Sequence, residues 1–160
     1  MEDKQLRAII KKETGGKGYH PLKYYRGLTA SEVKKRIAHK KGQPWITDVG
    51  KTTKTSQYTT AFRKKYPDAR SLVAKSKATG VPIGIIKAVY DRGLGAWLSG
   101  HRPGASQTAW GYARVHSFLM KGCTYYTTDK DLVRKASEKM KGTKELARWK
   151  RLPKICKLKR

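Results

Sequence analysis

The chain reads as a mainly helical protein: a small helical domain, with a candidate helix-turn-helix-like element, between extended basic N- and C-terminal regions. Three observations predict it. Ile83, Ile86, Val89, Tyr90 and Trp97 recur at three- and four-residue spacing, the period of one helix face. Helix starts are marked at Thr29 and Ser106 and stops at Gly42, Gly80 and Gly122. Lys and Arg number 38 against 11 Asp and Glu, and they concentrate toward the two ends.

Taken in order, residues 2–13 form a short helix with Leu6, Ile9 and Ile10 on one side, and TGGKGYHPLKYYRG is loop because Gly and Pro break the pattern. Thr29-Ala30-Ser31-Glu32 is a capping box opening a second helix, with Val33, Arg36, Ile37 and Lys40 in one stripe and an end at Gly42. The polar segment from Gly42 to Thr60 carries one aromatic anchor, Trp45. It leads into a helix over about 56–66, closed by Tyr66-Pro67-Asp68, although its threonines also suit a short strand. A helix over 69–79 stops at Gly80. Pro82 sits where the first turn of the next helix tolerates it, and that helix reaches Ser99. GHRPG, residues 100–104, is a turn, since Pro103 holds Arg102 extended. Ser106 caps a helix with Trp110, Ala113, Val115, Phe118 and Leu119 on its apolar face. Further helices open near Thr128, with Leu132, Val133 and Ala136, and at Thr143, with Leu146 and Trp149. The predicted organisation is a basic region over 1–68, a helical core over 69–140 and a basic tail over 141–160.

A length of 160 residues suits one domain with tails and excludes a large multi-domain enzyme. The formal charge of +27 opposes compaction unless a polyanion or acidic neighbours supply the countercharge. Residues 1–41 hold 12 Lys and Arg against 4 acids and residues 130–160 hold 13 against 3, whereas residues 81–121 hold 5 against 1. Cys123 and Cys156 stand far apart and signal neither a zinc site nor a disulfide framework, which points to a reducing compartment. No apolar run approaches the ~18 residues of a membrane span, and MEDKQLRAII lacks the apolar stretch of a signal peptide.

AKSKATGVPIGIIKAVYDRG, residues 74–93, has helix-turn-helix spacing: Ser76, Gly80 at the turn, then Val81, Ile86 and Val89 at buried positions. Its outward positions Pro82, Ile83, Gly84, Lys87 and Ala88 offer almost no donors for base edges, so any DNA contact there carries little sequence readout. Two core helices joined at a glycine explain the same residues.

The stretch GHRPGASQTAWGYARVHSF, residues 100–118, is the least generic, and with Tyr90-Asp91-Arg92-Gly93 before it forms one constellation. A catalytic reading makes His101 a general base oriented by Asp91, with Arg92, Arg102 or Arg114 stabilising negative charge. Against it, no second carboxylate lies nearby and no Ser or Cys has the surroundings of an activated nucleophile. A structural reading pairs Asp91 with an arginine, fixes the turn through Tyr90, Arg92, His101 and Pro103, and fills the space between two antiparallel helices with Trp97, Trp110 and Phe118. A third adds a rim of His101, Arg102, Tyr112, Arg114 and His116 for phosphate or an acidic partner. The structural and rim readings are carried forward together, and the expectation is a protein that is not an enzyme, with no catalytic residues, no metal and no cofactor.

Polyanion binding is assigned to Lys34, Lys35, Arg36, Lys40, Lys41, Arg63, Lys64, Lys65, Arg102, Arg114, Lys150, Arg151, Lys154, Lys157, Lys159 and Arg160. Charge runs are usually solvated faces, but these lack balancing acids. Tyr24 and Tyr25 beside Lys23 and Arg26 add aromatic surface of the kind that suits single strands. GKTTKTS at 50–56 lacks the upstream glycine of a P-loop, and HExxH and CxxC are missing.

GVPIGIIKAVYDRGLGAWLSGHRPGASQTAWGYARVHSFLMKG, followed by DKDL at 129–132, resembles an uncharacterised domain family of large eukaryotic DNA viruses, including chlorella viruses, and of tailed phages. Its signature is Val-Tyr-x-Arg-Gly, then Ala-Trp-x-x-Gly-His-Arg-Pro-Gly, then Trp-Gly-Tyr-Ala-Arg-Val-x-Ser-Phe, about a third of the chain. The first 79 residues resemble, more distantly, another basic viral domain with a Gly-Gln-Pro-Trp-like centre. The resemblance implies a virion protein, present in host nucleus or cytoplasm during assembly. The expected partners are viral capsid proteins, viral DNA or both, with no small-molecule substrate. The expected role is a minor capsid protein holding acidic neighbours, with sequence-nonspecific DNA binding or condensation as the alternative.

Overall fold

The computed structural model describes residues 1–157, and every regular element among them is helical. In chain order these are α1 (Asp3–Thr14), α2 (Ala30–Ile37), α3 (Gln57–Lys65), α4 (Leu72–Thr79), α5 (Ile83–Ser99), α6 (Gln107–Leu119), α7 (Cys123–Tyr126), α8 (Lys130–Lys139) and α9 (Lys144–Arg151). Single 3-10 turns lie at Leu22–Tyr24 and Ile46–Asp48. The threonines before α3 form no strand; Ser56 caps that helix by accepting from the Tyr58 N–H.

Helix starts follow their caps. Side-chain oxygens of Thr29, Ser71 and Thr143 accept from Glu32, Ala74 and Leu146 N–H groups, each bond satisfying a donor the helix leaves orphaned, worth about 1 kcal/mol. Gly80 closes α4 at φ 79°, a left-handed conformation that favours glycine. α2 ends at Ile37, short of the predicted Gly42, as the chain turns out of the helix and His39 stacks on Trp45 at 3.6 Å.

The chain divides into two compact units. Residues 1–54 with 96–106 form the first, in which α1 packs on α2 around Leu6, Ile10, Tyr25, Leu28 and Val33. The second begins at residue 55, omits 96–106 and holds the larger core: Phe62, Val81, Ile86, Val89, Val115, Phe118, Leu119, Ala136 and Trp149 among others. In it α3 packs on α6, α6 on α7 and α7 on α8.

This division differs from the predicted boundaries at 68 and 140. Phe62 and Trp149 are buried in the second core, which draws α3 and α9 into it, while residues 96–106 count with the N-terminal unit. Nor is the stretch after 140 a tail throughout. Cys123 and Cys156 form a disulfide, contrary to expectation. The pairing is tertiary: Lys121 Nζ donates to the carbonyls of Lys150 and Leu152, and the Ile155 N–H to the Lys121 carbonyl, bringing the two cysteines together. The cysteines therefore give no ground for inferring a reducing compartment. No helix among the described residues is long and apolar enough to cross a membrane.

Candidate functional site

In the first unit, the residues with chemistry converge on Asp48. Arg36 is 5% exposed; its Nη1 donates to Thr47 Oγ1 at 2.7 Å and Asp48 Oδ1 at 2.8 Å, and its Nη2 to the His101 carbonyl. The His101 ring, fully buried, places Nε2 2.6 Å from Asp48 Oδ2 and Nδ1 2.8 Å from the Trp97 carbonyl. The Gly104 N–H donates to Asp48 Oδ1, and Trp97 Nε1 to the Ala105 carbonyl. The GHRPG turn is thus tied at both ends, with Trp97 stacked on His101 at 4.1 Å and Trp45 edge-on at 4.7 Å. Burial lowers the His101 pKa, while the Asp48 carboxylate and the Trp97 carbonyl pull it up.

A second hub, in the second unit, is Asp129, which is 0% exposed. Arg114 grips it with Nε at 2.9 Å and Nη2 at 2.8 Å, while Arg92 Nη1 reaches it at 3.1 Å and Arg92 Nη2 binds Asp131 at 2.7 Å. The Arg92 guanidinium holds the Asp131 carboxyl well below the usual carboxylate range. The glycines of the signature serve packing: a Cβ on Gly93 would lie 2.7 Å from the Gly111 Cα, so α5 and α6 approach closely only because both positions are glycine. Tyr90 covers the same point, 5.2 Å ring to ring from Tyr112.

Between α3, α4 and α6 lie two buried nitrogen bases, His116 and Lys75. His116 is 3% exposed, stacks on Phe62 at 4.7 Å, and its Nδ1 meets Thr59 Oγ1 at 2.8 Å. Burial, with Lys75 and Arg63 adding repulsion, lowers its pKa to about 3. Lys75 Nζ donates to the Ala69 carbonyl at 2.6 Å and lies over the Phe62 and Tyr112 rings; burial lowers its pKa to about 8.

The structure corrects several sequence assignments. Asp91 is exposed and joins no ion pair among the described residues; the carboxylates that hold the signature arginines are Asp129 and Asp131. His101 takes Asp48, not Asp91, as partner, and both of its ring nitrogens face protein acceptors, so the ring offers no nitrogen to a substrate. Phe118 is core, but Trp97 packs on His101, Trp110 is half-buried, and the close approach of α5 to α6 is through Gly93 and Gly111. Pro103 is buried within the tied turn. His116 is core, not rim.

Among the assigned cations, Arg36 and Arg114 are spent on Asp48 and Asp129. Lys34, Lys35, Lys40, Lys41, Arg63, Lys64, Lys65, Arg102, Lys150, Arg151, Lys154 and Lys157 are exposed. Lys159 and Arg160 lie outside the described residues. The helix-turn-helix-like pair forms as α4 and α5, with Val81, Ile86 and Val89 fully buried and Ser76 Oγ donating to the Val81 carbonyl. Its turn is covered: the Glu145 side chain sits against Gly80, and Arg148 Nη2 donates to the Ala78 carbonyl. No group of three or more His, Cys, Asp or Glu side chains among the described residues is placed to hold a metal.

Sequence reasoning missed Asp48, Asp129 and Lys75. For Asp129 a signal existed, since DKDL belongs to the signature and its acids are the nearest ones after two signature arginines. Asp48 stood unmarked in a threonine-rich loop.

Residues 21–149 match a family of unknown function, DUF5824, a span that reaches well beyond the signature on both sides. No curated protein and no solved structure matches the chain.

Proposed function

The chain belongs to the DUF5824 family, and from that premise we propose that it is a non-enzymatic structural protein of a large DNA virus particle, a minor capsid protein whose basic surface holds acidic neighbours. One observation carries the reading: Asp48, Asp129 and Asp131 are taken up in ion pairs with Arg36, Arg92 and Arg114, and a formal surplus of 27 positive charges is left, with Lys34, Lys35, Lys40, Lys41, Arg63, Lys64 and Lys65 facing solvent. Such a surface is stable in a crowded assembly only when partners bring negative charge. The viral setting is supported by the resemblance of the signature, and the absence of catalysis by the engagement of both His101 nitrogens within the protein.

A second reading, sequence-nonspecific DNA binding, is favoured by the C-terminal cations. Lys154 Nζ lies 4.6 Å over the Tyr126 ring, and Lys150 Nζ donates to the Tyr125 hydroxyl, an interleaving of cations with aromatics suited to nucleic acid. Quantifying the protein in purified particles, before and after the shell is stripped, separates the two. The capsid reading expects a fixed copy number following shell symmetry and loss with the shell; retention on the genome supports DNA binding; absence from particles contradicts both.

A further inference from the structure

We propose that the cleft beside the end of α2 is the docking site for an acidic, apolar-anchored segment of a neighbouring protein; this rests on the capsid reading above and names how one acidic neighbour is held. The cleft lies in the first unit and measures about 280 Å³. At just under the ~300 Å³ where small-molecule sites begin, it has room for a protruding side chain rather than a cofactor. Its lining brings the exposed cation of Lys35 together with the apolar surfaces of Pro44, Trp45 and Ile46, beside His39 and the Asp48-paired Arg36, and no carboxylate lines it.

Two further features point the same way. The Arg36 guanidinium is fixed in place by Thr47, Asp48 and the His101 carbonyl, with its Nε–H buried, so the cation that this lining presents to solvent is Lys35. Ile46, which lines the cleft with Lys35, is 61% exposed, and Val49, three residues on, is 79% exposed, large aliphatic groups left to water. A carboxylate satisfies Lys35, and a leucine-like side chain covers the aliphatic surface that water meets at a cost.

A peptide fits better than a nucleic acid. A phosphodiester backbone has nothing to lay on Ile46 and Val49. Base stacking on Trp45 competes with groups already against its ring, His39 at 3.6 Å and the Arg36 guanidinium at 4.8 Å.

The test uses the full chain at physiological ionic strength with three fluorescent probes of equal charge: an alternating Glu-Leu peptide, an alternating Glu-Gly peptide and an oligothymidylate. The Glu-Leu peptide is expected to bind about tenfold more tightly than the Glu-Gly peptide, the size of effect that burying one leucine side chain produces. Ile46→Ser is expected to erase that ratio, and Lys35→Glu to weaken both peptides together. Both positions are exposed, and far-UV circular dichroism checks that each variant is folded. Equal affinity for the two peptides, a ratio indifferent to Ile46→Ser, or tighter binding of the oligothymidylate than of the Glu-Leu peptide would each overturn the docking site while leaving a charge-driven role standing. Failure of all three probes to bind would overturn the capsid reading itself.

Discussion

Asp48 and Asp129 each gather cations from distant parts of the chain, but with different partners. Asp129 is sealed and holds two arginines, Arg92 and Arg114, whose charge is permanent at any working pH. Asp48 keeps 18% of its side chain exposed and holds one arginine and one histidine, plus a turn N–H. The first arrangement fixes a helix crossing already tight at Gly93 and Gly111; the second fixes loops, joining α2, the Ile46–Asp48 turn and GHRPG. In a chain this poor in acids, the carboxylates at the two centres are structural ties.

Acid is expected to give the largest effect, and to separate the units. His116 has a folded pKa of about 3 against an ordinary 6.5, so between those values the unfolded chain binds more protons than the folded one. Its contribution is present above pH 6.5 and is lost as pH falls toward 3, on the order of 4–5 kcal/mol across the window. In the first unit the Asp48 carboxylate opposes the burial of His101, so that unit is expected to yield less to acid. Hydrogen exchange followed residue by residue through this range reads the order. His116→Phe, which keeps a ring against Phe62, is expected to flatten the acid slope of the second unit; an unchanged slope contradicts the assignment.

Removing the hubs comes next. Asp129→Ala leaves two arginines facing each other beside an apolar core and is expected to cost about 3–5 kcal/mol, whereas Asp48→Ala, in a partly wet site, is expected to cost about 2–3 kcal/mol. Denaturant midpoints measure both, and a greater loss at Asp48 would reverse the comparison. The smallest of these effects is expected from Gly93→Ala, whose Cβ meets Gly111 backbone: about 1–3 kcal/mol, read as a fall in Tm with the first unit's exchange rates unchanged.

What was legible in the sequence follows from how local each feature is. α2, α5 and α9 announce themselves through Thr29, the spacing from Ile83 to Trp97, and Thr143, because caps and periodicity act within a turn or two. Arg36 shared the stripe of Val33 and Ile37, which marks a buried position, yet in a run of lysines it reads as surface charge. The partners were not legible. His101 finds Asp48 across 53 residues and Arg92 finds Asp129 across 37, while the nearer Asp91 points to neither. Cys123 and Cys156 pair across 33 residues because the segment after α9 runs back along Lys121. Chain topology, not spacing, decides such contacts.

The central claim is that the surface cations are matched from outside the molecule. Its most direct measurement is the affinity of the full chain for polyglutamate and for duplex DNA as a function of salt, with Lys34, Lys35, Lys40 and Lys41 intact or replaced by serine. The account predicts measurable binding at physiological ionic strength, log K falling linearly with log salt, and a shallower slope in the replaced chain. No affinity for either polyanion at that ionic strength would contradict it.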